Sequence, residues 1–143
     1  MNILIGYATK SGAAKTCAEL LEKEFPGCTV CDLGKEIPDI NDFDIVIIGS
    51  GVRMGKIYKP VKNFIKSNIT LLLSKNTAFY LCNAYPDTTK KAIEKNFPGK
   101  LVISAICIEA FGGKVPFSTD TVNQTWINKD NIAAFVQFIK NMI

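Results

Sequence analysis

MNILIGYATKSGAAKT, residues 1–16, holds a strand, a loop and the start of a helix in one short line. Asn2 to Tyr7 is an apolar run rich in Ile and Leu, with no turn signal inside it. Ala8-Thr9-Lys10-Ser11-Gly12 cuts the run off. From Ala13 the spacing turns helical, with Ala14, Cys17, Ala18, Leu21 and Phe25 on one face. A buried strand running through a hydroxyl-rich loop into a helix N-terminus builds an anion site. The first N–H groups of a helix lack intrahelical acceptors, and the helix dipole adds partial positive charge at that end. A phosphate there would accept those N–H groups, with hydroxyls from Thr9 and Ser11 and close approach at Gly12. The alternative is that Ser11 simply caps the helix.

Working outward, the remaining chain repeats the alternation. Cys28 to Leu33 and Phe43 to Gly49 read as the second and third strands, the latter with a continuous apolar centre suited to burial on both faces. The loop from Ser50 to Ile57 follows, then a helix from Pro60 with Val61, Phe64, Ile65 and Leu72 as its buried stripe. Thr77 to Cys82 is the fourth strand, breaking into Asn83-Ala84-Tyr85-Pro86-Asp87. Asp87 or Thr88 is expected to cap a short helix that Pro98-Gly99 stops. Leu101 to Ile108, rich in β-branched residues, is expected to be the fifth strand. A long loop runs from Ala110 to Lys129, and a last helix covers Asp130 to Met142 with Ile132, Phe135, Val136 and Ile139 inward. Strands alternating with helices predict an α/β fold, a five-stranded parallel sheet of order 2-1-3-4-5 covered on both faces. Residues 1–143 read as a single domain.

Composition narrows the function. Seventeen Lys plus Arg against thirteen Asp plus Glu leave +4, and the lysines are scattered rather than interleaved with aromatics, which argues against nucleic-acid binding. The longest apolar run falls far short of the ~20 residues of a membrane helix, so no transmembrane segment is expected. No secretion signal precedes Asn2 and five cysteines are present, which together predict a cytoplasmic protein with free thiols. Cys17, Cys82 and Cys107 fall in apolar patterns and read as core. Cys28 and Cys31 have redox-motif spacing, but positions three apart on a strand face opposite ways. With no histidine in the chain, Ser-His-Asp triads and the usual zinc catalysts are excluded. If the protein is an enzyme, its chemistry is expected to reside in a bound group.

In open α/β sheets, ligands sit beyond the C-terminal strand ends at the switch point, here between the first and third strands. Three loops should converge there: Thr9–Ala14, Ser50–Ile57 and Asn83–Asp87. A helix N-terminus, two flexible walls and an aromatic side chain suit a flat ring carrying a phosphate. Related folds fail on residues. A phosphorylation receiver needs acidic residues where Gly6-Tyr7 and Gly49-Ser50 stand, and a tyrosine phosphatase needs Cys where Ile47 precedes the sole arginine, Arg53. Neither the Walker motif nor the dinucleotide glycine fingerprint is present.

Tyr7 to Ala14 (YATKSGAA) resembles the phosphate loop of the flavodoxins, and the flavodoxin-like three-layer sandwich would cover the whole chain. Ile45 to Tyr58 (IVIIGSGVRMGKIY) and Ala78 to Asn83 (AFYLCN) are similar to the flavodoxin-like protoporphyrinogen dehydrogenase group. The resemblance implies bound FMN. Its phosphate would be held by Thr9, Lys10, Ser11, Gly12, Ala13 and Ala14. Its ring would lie against Ser50, Gly51, Val52, Arg53, Met54 and Gly55 on one side and Asn83, Ala84 and Tyr85 on the other. Asn83 and Tyr85 are either ring partners or an ordinary turn ahead of Pro86. Ala14 stands where the family loop usually ends in Thr, so one hydroxyl contact is lost, and Val52-Arg53-Met54 replaces the ring-stacking aromatic. The resemblance implies electron transfer through the flavin, to a redox partner protein or a small-molecule donor or acceptor. The alternative is an FMN-dependent oxidoreductase of the protoporphyrinogen dehydrogenase type. Arg53, either near the ring or turned to solvent, carries the expectation of a reduction potential above that of acidic carriers.

Overall fold

The computed structural model describes residues 1–114 and 124–143. The chain runs β1 (Ile3–Ala8), α1 (Ala13–Glu24), β2 (Thr29–Asp32), β3 (Ile45–Arg53), β4 (Lys56–Ile57), α2 (Lys59–Ser67) and α3 (Ile69–Leu73). It continues through β5 (Asn76–Cys82), α4 (Thr89–Asn96), α5 (Gly99–Ser104), β6 (Cys107–Ala110) and α6 (Lys129–Lys140). The strands form a parallel sheet in the order β2-β1-β3-β5-β6, with β4 paired antiparallel to the end of β3. Setting that hairpin aside, the order is the expected 2-1-3-4-5.

Period-two alternation sorts each strand onto two cores. Ile3, Ile5, Tyr7, Ile45, Ile47, Ala78 and Tyr80 face the helices α1 and α6, where Ala14, Cys17, Leu21, Phe135 and Ile139 cover them. Leu4, Val46, Ile48, Phe79 and Leu81 face the other way, under Val61, Phe64, Leu72, Ala92 and Leu101. The result is three layers. Cys28, just before β2, packs against the first core and Cys31 lies in the second, so the two thiols with redox-motif spacing are on opposite faces. All five cysteines are free. No helix among the described residues is long and apolar enough to cross a membrane.

Three boundaries differ from the sequence reading. The expected fifth strand from Leu101 to Ile108 is half helix: α5 takes Gly99–Ser104, and the strand is confined to Cys107–Ala110. Pro98 does not only stop α4. Its carbonyl accepts the N–H groups of Leu101 and Val102 and so starts α5. Leu101 is then buried in the second core while Ile103 is 87% exposed, a one-sided pattern that fits a helix and not a doubly covered strand. The third strand is longer than expected, because it continues beyond Gly49 into the hairpin with β4. Met54 (φ 53°) and Gly55 (φ 75°) form the two-residue turn, and paired positive φ values give the primed geometry that matches strand twist. Finally, Leu72 lies on α3 rather than extending α2, since Asn68 interrupts the helix.

One register pair decides how α1 sits on the sheet. Gly49 lies between Tyr7 and Tyr80 on neighbouring strands. A Cβ on Gly49 would fall 1.8 Å from the Tyr80 ring. The missing side chain lets that ring lean across β3, stack on Phe111 at 4.8 Å and donate from its hydroxyl to Ala14 O at 2.9 Å. A buried phenol thus ties the first turn of α1 to β5, and burial holds that phenol protonated far above its ordinary range.

Candidate functional site

The parallel strands deliver their C-terminal ends to one rim. There residues 9–14, the β3–β4 hairpin and the loop beginning at Asn83 converge, as the topology demands.

At residues 9–14 the capping position of α1 is Gly12, in the left-handed conformation at φ 92°, and no side chain caps the helix. Ser11 is therefore not the cap. Thr9 Oγ1 accepts the Gly12 N–H at 2.9 Å, which turns the loop tightly onto the helix. Ala13 and Ala14 are buried, whereas Lys10 and Ser11 are exposed. The first-turn N–H groups, without intrahelical acceptors or a side-chain cap, leave an open, positively polarised end.

The hairpin forms the second wall. Ser50 is buried, its Oγ donating to Gly51 O at 2.7 Å and accepting the Tyr58 N–H at 3.0 Å. A Cβ on Gly51 would meet the Tyr58 ring at 2.7 Å, so Gly51 is what lets that aromatic lie against the strand. Lys10 Nζ stands 4.9 Å from the Tyr58 ring centroid and bridges the first two loops by a cation–π contact. Burial raises the Tyr58 phenol above its ordinary value, with the Arg53 charge opposing the shift. Arg53 is exposed and Val52 half-buried, while Met54 projects at 90% exposure. Across the chain, Asn96 on α4 clamps the hairpin tip: Nδ2 donates to Gly55 O at 2.8 Å, and Oδ1 accepts the Ile57 N–H at 3.3 Å.

In the third loop Asn83 is buried, and its amide is engaged within the loop. Oδ1 accepts the Tyr85 N–H at 3.1 Å, while Nδ2 donates to Thr88 Oγ1 at 2.9 Å and Thr89 Oγ1 at 3.3 Å. Asn83 thus organises the turn ahead of Pro86. Thr88 caps α4 without a side-chain cap bond, its hydroxyl being occupied by Asn83 and Tyr85 O. Ala84 is half-buried and Tyr85 is 57% exposed. Under this loop Cys82 Sγ donates to Cys17 Sγ at 3.7 Å, and that bond with burial keeps the Cys82 thiol protonated. Among the described residues no three metal-ligating side chains gather.

The rim can hold an anion at the uncapped α1 end, with a flat apolar group between two walls tipped by exposed Met54 and Tyr85. Tyr58, Tyr80 and Asn96 were missed as site-building residues. Only the glycine opposite each tyrosine, Gly51 and Gly49, could have signalled two of them.

The family model described as "Flavodoxin domain" matches residues 4–140. The protoporphyrinogen IX dehydrogenase [quinone] of Escherichia coli (strain K12) is 30% identical over 88 residues, which are 58% of this chain and 49% of that protein. The chain thus spans about half the length of the curated relatives it matches. Oxidised flavodoxin 2 from Bacillus cereus is 16% identical with a TM-score of 0.61, covering 100% of both chains. The FMN-bound flavodoxin of Fusobacterium nucleatum is 12% identical with a TM-score of 0.59, covering 99% of this chain and 98% of its own. A Lactobacillus acidophilus flavoprotein in complex with FMN is 20% identical with a TM-score of 0.58, covering 76% and 92%. At these identities the likeness among solved structures is one of fold.

Proposed function

This chain belongs to the flavodoxin domain family, and on that premise we propose that it is an FMN-binding redox protein that transfers electrons through the bound flavin. The observation that carries the reading is the uncapped, glycine-led N-terminus of α1 at the switch point, flanked by the hairpin and the Asn83 loop. FMN supplies the electron-transfer chemistry when bound. The chain's residues bind and orient it. Gly12 would admit the phosphate to the first-turn N–H groups of Ala13 and Ala14, with Thr9 and Ser11 beside it and Lys10 turned onto the Tyr58 ring. Ser50 and Gly51 hold the wall that carries Val52, Arg53, Met54 and Gly55. Asn83 shapes the opposite wall, whose Ala84 and Tyr85 would lie against the ring. No side chain is asked to act as acid or base.

Titrating the flavin-free chain with FMN while following flavin fluorescence tests this directly. Saturable binding at one FMN per chain is expected; failure to bind after reconstitution would refute the reading.

The 88-residue similarity to protoporphyrinogen IX dehydrogenase favours a second reading, in which the same flavin serves a porphyrinogen oxidoreductase. The loop expected to bear on it, Ala110 to Lys129, lies partly outside the described residues, at 115–123 with Phe117. Assaying protoporphyrinogen oxidation with a quinone, against reduction by a ferredoxin- or NADPH-dependent reductase, separates the two. Reduction without porphyrinogen oxidation favours the carrier, whose partner is a redox protein or a small electron donor or acceptor. A cytoplasmic setting is consistent with five free thiols.

A further inference from the structure

The segment after β6 reaches the same rim by a path with no room for side chains. Phe111 is fully buried, stacked on Tyr80, and donates its N–H to Leu81 O at 2.9 Å. Gly112 follows at φ 85°, and a Cβ there would lie 1.9 Å from Trp126 O. A Cβ on Gly113 would lie 2.7 to 3.0 Å from the backbone of Ala84, Asn83 and Cys82. Two successive glycines thread the chain between Trp126 and the third loop. Lys114 emerges directly over the phosphate loop. Its Nζ donates to Ser11 O at 3.3 Å and stands 3.8 Å from the point a Gly12 Cβ would occupy. It also lies 5.7 Å from the Trp126 ring centroid, a second contact that holds the ammonium in place.

We propose that Lys114 is a phosphate-reading residue: its ammonium supplies the counter-charge for the FMN phosphate and makes the site select phosphorylated flavin over riboflavin. The proposal rests on the FMN reading above and deepens it. A phosphate monoester carries roughly −1.5 to −2 charges at pH 7, and the loop itself offers that charge only N–H and hydroxyl dipoles. Lys10, the loop's own cation, is turned onto the Tyr58 ring. Ala14 provides no hydroxyl. A compact ammonium delivered from another loop makes up for both, since a charge-assisted hydrogen bond is about twice as strong as a neutral one. Because the glycine path fixes where Lys114 emerges, the charge is in place before the ligand arrives.

The test is fluorescence titration of the full flavin-free chain with FMN and with riboflavin, for the unaltered protein, Lys114→Met and Lys114→Arg. Lys114→Met should weaken FMN about tenfold, on the order of 1.4 kcal/mol, and leave riboflavin within about twofold. Added salt should weaken FMN binding to the unaltered chain more steeply than to Lys114→Met. Lys114→Arg, which keeps the charge, should retain most of the FMN affinity. An equal loss for both flavins would make Lys114 a structural prop and overturn the proposal, as would unchanged FMN affinity in Lys114→Met. If the unaltered chain binds riboflavin and FMN equally, the proposal also falls while flavin binding stands. If it binds neither, the FMN reading itself is refuted, and the proposal with it.

Discussion

Arg53 is the only arginine in the chain, and it stands exposed at the end of β3, where its charge reaches the Tyr58 phenol. A fixed cation on the ring-side wall favours the more negative, reduced state of a bound flavin. Arg53→Ala should therefore lower the midpoint potential, on the order of tens of millivolts for one solvent-exposed unit charge. Potentiometric titration of the FMN-loaded protein measures this, and an unmoved potential would sink the idea. The neighbouring residues show how much of a site a sequence reveals. The loop from Thr9 to Gly12 stands out in the sequence because hydroxyls and a glycine fall between an apolar strand and a helical pattern. Tyr58 and Tyr80 do not stand out, because an aromatic in an apolar run looks the same whether it fills a core or braces a loop at the rim.

Among the elements, the β3–β4 hairpin is the most exposed part of the site and depends on a residue far away in sequence. Asn96 supplies hydrogen bonds to Gly55 O and Ile57 N–H and also donates to Ala92 O at 2.6 Å. Asn96→Ala removes these side-chain bonds, two of which hold the hairpin. We expect a loss of about 1 to 3 kcal/mol in stability and weaker FMN binding, read by urea unfolding and flavin titration. A stability change below about 0.5 kcal/mol would mean that strand pairing alone holds the hairpin. The short helix α5 marks the limit of local reading. Val102, Ile103 and Ile106 favour a strand by propensity, yet the second core needs a cover beside α3 and α4, and Leu101 can provide it only from a helix.

For the whole molecule, burying thiols makes stability depend on alkaline pH. Burial, with Glu36 adding repulsion, pushes Cys31 up to about 11, and burial with Glu109 pushes Cys107 up to about 12, from an ordinary value of 9.0. Raised folded-state values favour the neutral thiol, so this contribution is complete below about pH 9 and is lost as pH rises through 11 and 12. Thermal unfolding followed from pH 7 upward should show a falling midpoint that is shallower in Cys31→Ala and Cys107→Ala; identical slopes in all three chains would contradict it. At this scale the sequence was most informative. The alternation of apolar strands with amphipathic helices determined a doubly covered parallel sheet, because burial on both faces leaves that period no other solution. From that sheet followed the switch point and the three loops around it. What only the tertiary structure decided lies between segments distant in the chain: Tyr80 reaching Ala14 across Gly49, Asn96 holding Gly55, and the Gly112-Gly113 path that sets Lys114 above Ser11. Those contacts depend on register and on close backbone approach, and neither is written in the local pattern of residues. The loop that opens the chain meets, through Ser11 O, a lysine a hundred residues later.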